Sequence, residues 1–329
     1  MRLPLGKLPL PILEKYVLKR RGRESPNCIV GPGPGIDFSV IKLNKRYLIV
    51  SSDPITGAEK DVGWLAVNVS ANDVATSGAR PQYASSIILF PENSDIEMID
   101  TITQQIDRAA KSLGISIVSG HSEITPRLDR PIIIMTTFSI TDRYVTAKDA
   151  RVGDCILMTK SAGIEGTSIL AETFKDKLTQ IDKNSLIKAS RMIEKISIVK
   201  EAVRAFATGC VHAMHDPTEG GILNGVYEMA LASNLGFTIY EEKIPVDDVT
   251  MKICLSLNVD PLKLISSGTL LMAVDPKYVD RVCRALNAIG VKVSEIGEFT
   301  DGERILIRRS GTRERIDSSI TDELWTLLM

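Results

Sequence analysis

Net charge is almost absent from this chain: 40 Lys and Arg stand against 41 Asp and Glu, leaving −1 over 329 residues. That balance excludes a dedicated nucleic-acid surface, which needs a basic excess. The densest basic run, Lys19, Arg20, Arg21 and Arg23, reads as a solvated face. The five cysteines (Cys28, Cys155, Cys210, Cys254, Cys283) are odd in number and form no C-x-x-C. A closed disulfide framework is thereby excluded, and buried thiols in a reducing compartment are the expectation. No apolar stretch approaches the ~20 residues of a membrane span. The N-terminus, broken by Pro4, Pro9 and Pro11, has no signal-peptide core. The chain therefore reads as cytoplasmic, with neither nucleic acid nor membrane as a partner. Three signatures are also missing: G-x-x-x-x-G-K-[ST], G-x-G-x-x-G and G-x-S-x-G. Any nucleotide binds by neither a P-loop nor a Rossmann route. With three histidines in all, the Cys210, His212 and His215 group has no second cluster to complete a transition-metal site.

What is present is ordinary globular material, 44% apolar and 25% charged, long enough for two domains. Residues 1–30 read as a leader with a short helix from Ile12 to Leu18. Strand patterns cover Phe38–Leu43 and Tyr47–Ser51, with Asp53 at a strand end before Pro54. A helix runs from Asp61 to Gly78, and Tyr83–Phe90 is a strand. Ser94-x-x-Glu97 has the form of a capping box for a helix carrying Ile99, Ile102, Ile106, Ala110 and Leu113 and stopped by Gly114. Ile115–Val118 is a strand running out into a Ser119–Glu123 loop, and Ile132–Ile140 is another strand. The pattern lapses around residues 141–154, which sets the expected division at 31–147 and 148–329. The second half restarts with strand Cys155–Thr159. A helix from Thr167 leads into a charged helical region reaching Ala207. After a helix to Asn234 come strands Phe237–Tyr240 and Thr269–Val274, a helix over Lys277–Ala288 and two short strands. Alternating strands and helices in both halves give a mixed α/β (α+β) class.

Candidate chemistry gathers at a few places. Gly31-Pro-Gly33-Pro-Gly35-Ile-Asp37 admits neither helix nor mid-strand. It is either a plain surface loop or a flap whose backbone approaches phosphates. In the Asp61–Gly78 helix, Val62, Leu65, Ala66, Val69, Asp73 and Thr76 share one stripe, which turns Asp73 inward. A buried carboxylate needs a cation or several donors, so Asp73 is either a hydrogen-bonded core Asp or a Mg2+ ligand. Asn68 and Asn72 form a polar edge beside it, and Asp53 and Asp37 are candidate co-ligands. Asp216-Pro-Thr-Glu219 fits a helix start with Asp216 as N-cap, and equally a phosphate-receiving helix end with Asp216 on a metal.

Several of these blocks together resemble the AIR synthase (PurM) superfamily. They are Asp53-Pro54, Asn72-Asp73-Val74-Ala75-x-x-Gly78-Ala79-x-Pro81, Ser119-Gly120-His121-Ser122-Glu123, His215-Asp216-Pro217-Thr218-Glu219-Gly220-Gly221 and Ser266-Ser267-Gly268-Thr269. The Asp-Pro-Thr-x-Gly-Gly form is most similar to the HypE-like and AIR-synthase-related group. The resemblance implies a PurM-like two-domain fold and a homodimer whose N-terminal domains pair into a barrel-like core. It also implies ATP in a cleft near that interface, with Mg2+ between carboxylates and phosphates. The metal ligands would be Asp53, Asp73 and Asp216, with Asp73 and Asp216 catalytic. Gly31, Gly33, Gly35, Asp37, Asn68, Asn72, Gly120, His121 and Glu123 would line the nucleotide. The chemistry implied is phosphoryl transfer from ATP to a small-molecule or carboxamide-type oxygen, in the manner of metalloenzyme maturation. The HypE pattern closes on a cysteine, whereas the last cysteine here is Cys283. Two alternatives therefore stand: a non-catalytic nucleotide-binding homodimer acting through a protein partner, and an aminoimidazole ribonucleotide synthase-type cyclo-ligase.

Overall fold

The computed structural model describes residues 3, 5–58 and 60–328, with Leu328 described by its backbone alone. Met1, Arg2 and Pro4 of the leader, Glu59 and Met329 lie outside the described residues. The first sheet is built from β1 (Cys28–Val30), β2 (Ser39–Leu43), β3 (Arg46–Ile55), β4 (Tyr83–Phe90), β5 (Ser116–Ile124) and β6 (Ile132–Thr141). Its order is β1-β2-β3-β6-β4-β5. The end of the leader thus belongs to this sheet, with Cys28 opposite Ile41. The leader's helix starts two residues before the expected Ile12 and ends at Leu18 as expected, α1 (Leu10–Leu13) passing into a π-helical stretch at Glu14–Leu18.

Two helices follow, α2 (Val62–Thr76) and α3 (Ile96–Leu113). α3 is amphipathic and buries Ile102, Ile106, Ala109 and Ala110. Its N-cap is Asp95 rather than Ser94: Asp95 Oδ1 accepts from Met98 N at 2.8 Å, while the Ser94 hydroxyl is turned to Met98 Sδ. A carboxylate satisfies a helix N-terminus at least as well as a hydroxyl, so the cap moved one residue without moving the helix. α2 has no exposed stripe. Of its fifteen residues, all but Trp64 are buried, because sheet, α3 and the second half of the chain surround it.

The second sheet holds β7 (Cys155–Thr159), β8 (Val211–His215), β9 (Gly236–Tyr240), β10 (Leu271–Val274), β11 (Val293–Thr300), β12 (Arg304–Ile307) and β13 (Arg313–Arg315). Its order is β13-β12-β9-β11-β7-β10-β8. β8, Val211-His-Ala-Met-His215, lacks an apolar/polar alternation and escaped the sequence pattern; the two closing strands expected are three. The charged helical region is broken, into α4 (Ile164–Thr173), α5 (Lys183–Ser190) and α6 (Val199–Ala207), with 3-10 turns at Lys175–Lys177 and Arg191–Lys195. α7 (Gly221–Ser233), α8 (Asp248–Leu257), α9 (Val279–Asn287) and α10 (Glu323–Leu328) complete the half.

One apolar core runs through both halves: Leu65, Val69 and Ile133 pack in the same cluster as Leu157, Met214 and Met272. Polar bonds cross with it. Trp64 Nε1 donates to Ile193 O at 3.1 Å, and the Asn72 amide bridges Ile196 O and Ile198 N at 2.9 Å each. The cysteines are all free; Cys210 and Cys254 are buried, but Cys28 is exposed, against the expectation of buried thiols. Among the described residues no helix is long and apolar enough to cross a membrane.

Candidate active site

Four aspartates converge where the halves meet, each delivered by a different element. Asp53 comes from within β3, not from its end. β3 pairs with β6 through Ile55 but with β2 only through Val50. Beyond Val50 one strand edge is therefore open, and Pro54, which lacks an N–H, fits there without breaking a ladder bond. Asp73 comes from the middle of α2 and is buried, with the Ser51 hydroxyl donating to its Oδ2 at 2.6 Å. Asp37 ends the glycine flap and takes the Thr76 hydroxyl at 3.1 Å.

Asp216 follows β8 directly, and here the helix-start reading fails. α7 begins at Gly221 and is capped by Gly220, with φ of 79° and 64° at the two glycines. A left-handed turn of that kind is open to glycine at little cost, and it postpones the helix long enough to free Asp216 from capping. The Asp216 residue is 1% exposed, and neither carboxylate oxygen has a hydrogen-bond partner.

His215 braces the group. Its Nδ1 lies 2.7 Å from Asp37 Oδ1 and its Nε2 3.0 Å from Glu228 Oε2. Candidate ligand atoms of Asp37, His215 and Asp216 all fall within 4.8 Å of one another. His212, three residues earlier on the same strand, faces the other way and pairs with Asp154 at 2.9 Å. An odd separation on a strand puts the two imidazoles on opposite faces, so the His-x-x-His spacing holds no shared metal.

The electrostatics are those of a crowded anion site. Burial, then Asp53, Asp216 and Asp37, drive the Asp73 carboxyl well above the usual range. Burial and Asp37 do the same to Asp216, against the opposing pull of His215. Asp53 is pushed up to about 6, chiefly by burial; Lys7 and a hydrogen bond shared with Asp73 act the other way. Burial lowers the His215 pKa, but Asp37 and Glu228 outweigh it and raise the imidazole to about 10. Lys7 of the leader reaches in from outside, its Nζ 3.2 Å from Thr218 Oγ1 and 3.6 Å from Glu228 Oε1. Its desolvation is outweighed by Glu228, Glu219, Asp37 and Asp53, which raise its pKa. A buried carboxylate with nothing to neutralise it costs several kcal/mol. This arrangement of hard oxygen donors, one with both oxygens unpaired, fits a divalent cation of the Mg2+ type. The nitrogens of His215 are already taken by Asp37 and Glu228.

The remaining expected residues divide. Gly35 is part of the site's wall: its φ is +66°, and a Cβ there would lie 2.6 Å from Glu228 O. Gly31 and Gly33 belong to the same flap, tied by Arg21 Nη2 to Pro32 O at 3.1 Å. Asn72 is taken up by residues 196–198, whereas Asn68 donates to Trp64 O and keeps its Oδ1 buried without a partner. Gly120, His121 and Glu123 are not on a loop. They lie on β5, paired with β4, where a Cβ on Gly120 would come 2.6 Å from Ser86 O. His121 and Glu123 bond to each other at 3.0 Å on the exposed strand.

Lys7, Glu228 and Glu165 joined the site without being foreseen. Glu228 had a signal, since Gly221, Asn224, Gly225 and Glu228 share a helical face. Lys7, in a proline-rich leader, had none. Glu165 is 5% exposed with Oε2 unpaired, and burial pushes it up to about 7.

Comparison with known proteins places the chain in a family. The family model described as AIR synthase related protein, N-terminal domain, matches residues 35–141, and that of the C-terminal domain matches 151–308. The chain belongs to the AIR synthase-related family, in its HypE-like group. A Methanocaldococcus jannaschii protein assigned to hydrogenase expression and formation is 28% identical over 329 residues, covering 97% of this chain and 96% of its own. The carbamoyl dehydratase HypE of Escherichia coli is 26% identical over 289 residues, covering 86% of this chain and 81% of its own. A HypE structure solved in complex with ATP shares the fold at a TM-score of 0.73 and 21% identity, over 96% of this chain and 93% of that one.

Proposed function

We propose that the chain is a Mg2+-dependent, ATP-utilising enzyme that transfers a phosphoryl group to an oxygen of a small molecule or carboxamide, in the manner of hydrogenase maturation. The observation that carries this is Asp216, buried with both oxygens unpaired among Asp37, Asp53 and Asp73. Names of relatives support the same reading: one is a carbamoyl dehydratase and another was solved with ATP.

Asp53, Asp73 and Asp216 would hold Mg2+, which would supply neutralisation of phosphate charge. The chain's own residues do the positioning. His215 and Thr76 fix the Asp37 carboxylate from two sides. The glycine flap, seated against the backbone of Glu228, limits water over the phosphates. Lys7 brings an ammonium to the rim, where it meets developing negative charge. A second copy completes the assembly. β5 is an edge strand exposed along its whole length, and Ile117, Val118 and Ile124 are 40%, 54% and 52% exposed. An exposed apolar edge of this kind favours pairing with another strand, and His121 and Glu123 then lie at a homodimer interface.

The test is nucleotide analysis after incubation with Mg2+, ATP and a panel of carboxamides. ADP formed only with Mg2+, and not by Asp73→Asn, supports the reading. Binding of Mg2+–ATP without turnover by any acceptor favours the nucleotide-binding dimer that acts through a protein partner.

A further inference from the structure

The turn that frees Asp216 is held from far along the chain. Locally, Asp216-Pro217-Thr218-Glu219 favours a helix beginning at Pro217, with Asp216 as N-cap. In such a helix the Gly220 N–H donates to Asp216 O, four residues back, and the Asp216 carboxylate accepts from Thr218 N or Glu219 N. That carboxylate is then spent on its own backbone. The fold diverts these bonds one by one. Gly220 N donates instead to Asp322 Oδ2 at 2.6 Å. Gly221 N turns back to Thr218 O at 3.1 Å, and Leu223 N goes to Leu262 O at 3.2 Å. Asn224 Nδ2 donates to Glu219 O at 2.9 Å, and its Oδ1 accepts from Ile320 N at 3.0 Å. Asp216 is left buried, with both carboxylate oxygens unpaired.

Asp322 is the charged member of this set, and a hydrogen bond to a carboxylate is stronger than one to a carbonyl. It is 2% exposed and 102 residues from Gly220. Its own position is fixed. Oδ1 accepts from Leu324 N at 2.8 Å, and Leu324 packs in the cluster of Leu170, Ile253 and Leu264. Glu323 N donates to Lys263 O at 3.3 Å. The segment lies directly on the turn: a Cβ on Gly220 would stand 2.6 Å from Ile320 O. Asp322 is no part of the ligand group formed by Asp37, His215 and Asp216. Without it, the buried Gly220 N–H has to find another acceptor, and the one its local sequence offers is Asp216 O.

We infer that Asp322 is a positioning residue for Asp216: by taking the Gly220 N–H it denies α7 an extension back to Pro217, and so keeps the Asp216 carboxylate open to a divalent cation. Asp216 as a cation ligand rests on the Mg2+–ATP reading above; the diverted hydrogen bond stands without it.

The test pairs a cation titration with a structure. Mn2+, which takes the same oxygen ligands as Mg2+, is titrated calorimetrically into the full chain without nucleotide. The proteins are wild type, Asp322→Ala, Asp216→Asn and the double variant. Asp322→Ala should weaken Mn2+ binding at least about tenfold. Beside Asp216→Asn the same change should cost less than about twofold further, because it acts only through Asp216. A crystal structure of Asp322→Ala should show α7 starting at Pro217 with Asp216 as its cap. Wild-type Mn2+ affinity in Asp322→Ala overturns the inference. So does a loss that repeats in full beside Asp216→Asn, which would make Asp322 a support of the fold at large. If Asp322→Ala does not fold, read by melting in EDTA, Asp322→Asn takes its place in both arms. It keeps the volume and one acceptor oxygen, and should weaken Mn2+ at least about threefold, again only where Asp216 is intact. If wild type binds no Mn2+, the structure decides. A helix moved back to Pro217 upholds the positioning role and removes the cation reading, whereas an unmoved turn overturns the positioning role.

Discussion

Two of the buried charge groups in this protein differ in one respect: one is complete and the other is not. In the second half, Lys160 reaches Glu201 Oε1 at 2.8 Å, Ser197 O at 2.9 Å and Lys195 O at 3.1 Å. The Thr159 hydroxyl donates to Glu201 at 3.0 Å. Every charge there has its partner, and the group needs nothing from outside. In the aspartate cluster the carboxylates outnumber the cations, Asp216 has no hydrogen-bond partner, and burial raises the proton affinity of Asp53, Asp73 and Asp216. Both groups cost desolvation. The first repays it inside the fold, whereas the second, on the function proposed above, would repay it when a cation is bound. That contrast separates a structural ion pair from a binding site without reference to any relative.

The sharpest way to break the contrast is to neutralise one member of each group. Asp216→Asn should lower Mg2+–ATP turnover by about 10²–10³ while leaving the metal-free protein as stable as wild type or more so, read by turnover and by melting in EDTA. Glu201→Leu should do the reverse, with an unfolding cost of about 3–5 kcal/mol because Lys160 is left buried and unpaired. The double change Glu201→Leu with Lys160→Met should recover most of that loss in denaturant titrations.

pH sharpens the comparison further. Asp53 is raised to about 6, and Glu165 and Asp322 to about 7, in each case mainly by burial. A carboxyl that holds its proton more tightly when folded favours the fold at low pH and loses that contribution as pH rises through its folded value. His215, raised to about 10, adds to the fall above its unfolded value of 6.5. Melting temperature in EDTA should therefore decline from pH 5 to pH 8, by about 2–4 °C per kcal/mol lost. Mg2+ should offset the part carried by Asp53, so its stabilising effect should grow with pH. The smallest effect belongs to an exposed pair. Lys111 and Asp107, one turn apart on α3 at 2.7 Å, should yield less than about 0.5 kcal/mol on Lys111→Ala.

How much of this was readable in the sequence follows from range. Asp73 was readable because a helix places its residues by local periodicity, and Asp37 because glycine and proline restrict the chain around it. Asn68 and Asn72, the polar edge beside the stripe, are assigned to the nucleotide by resemblance; in the fold Asn72 holds residues 196–198 and Asn68 donates to Trp64 O. α2 is covered on every side, so periodicity alone does not separate the polar residue that joins the aspartates from those that bond to the second half of the chain. Asp216 could be read equally as an N-cap or a metal ligand because capping rules are local, and nothing local reports that Gly220 and Gly221 will delay the helix. The 119–123 segment looked like a loop because its polar residues break the apolar pattern, yet an edge strand needs no buried face. Lys7 is over two hundred residues from Thr218, Glu219 and Glu228, the groups it meets. Only the folded topology brings them together.

The measurement that bears most directly on the central claim is thermal unfolding of wild type and Asp73→Asn, in EDTA and with Mg2+–ATP. Ligand at about 100 times its dissociation constant should stabilise wild type by roughly 2.7 kcal/mol, only when Mg2+ is present, and should leave the variant unmoved. Equal stabilisation of both proteins, or stabilisation of wild type by ATP in EDTA, would contradict the aspartate cluster as the metal–nucleotide site.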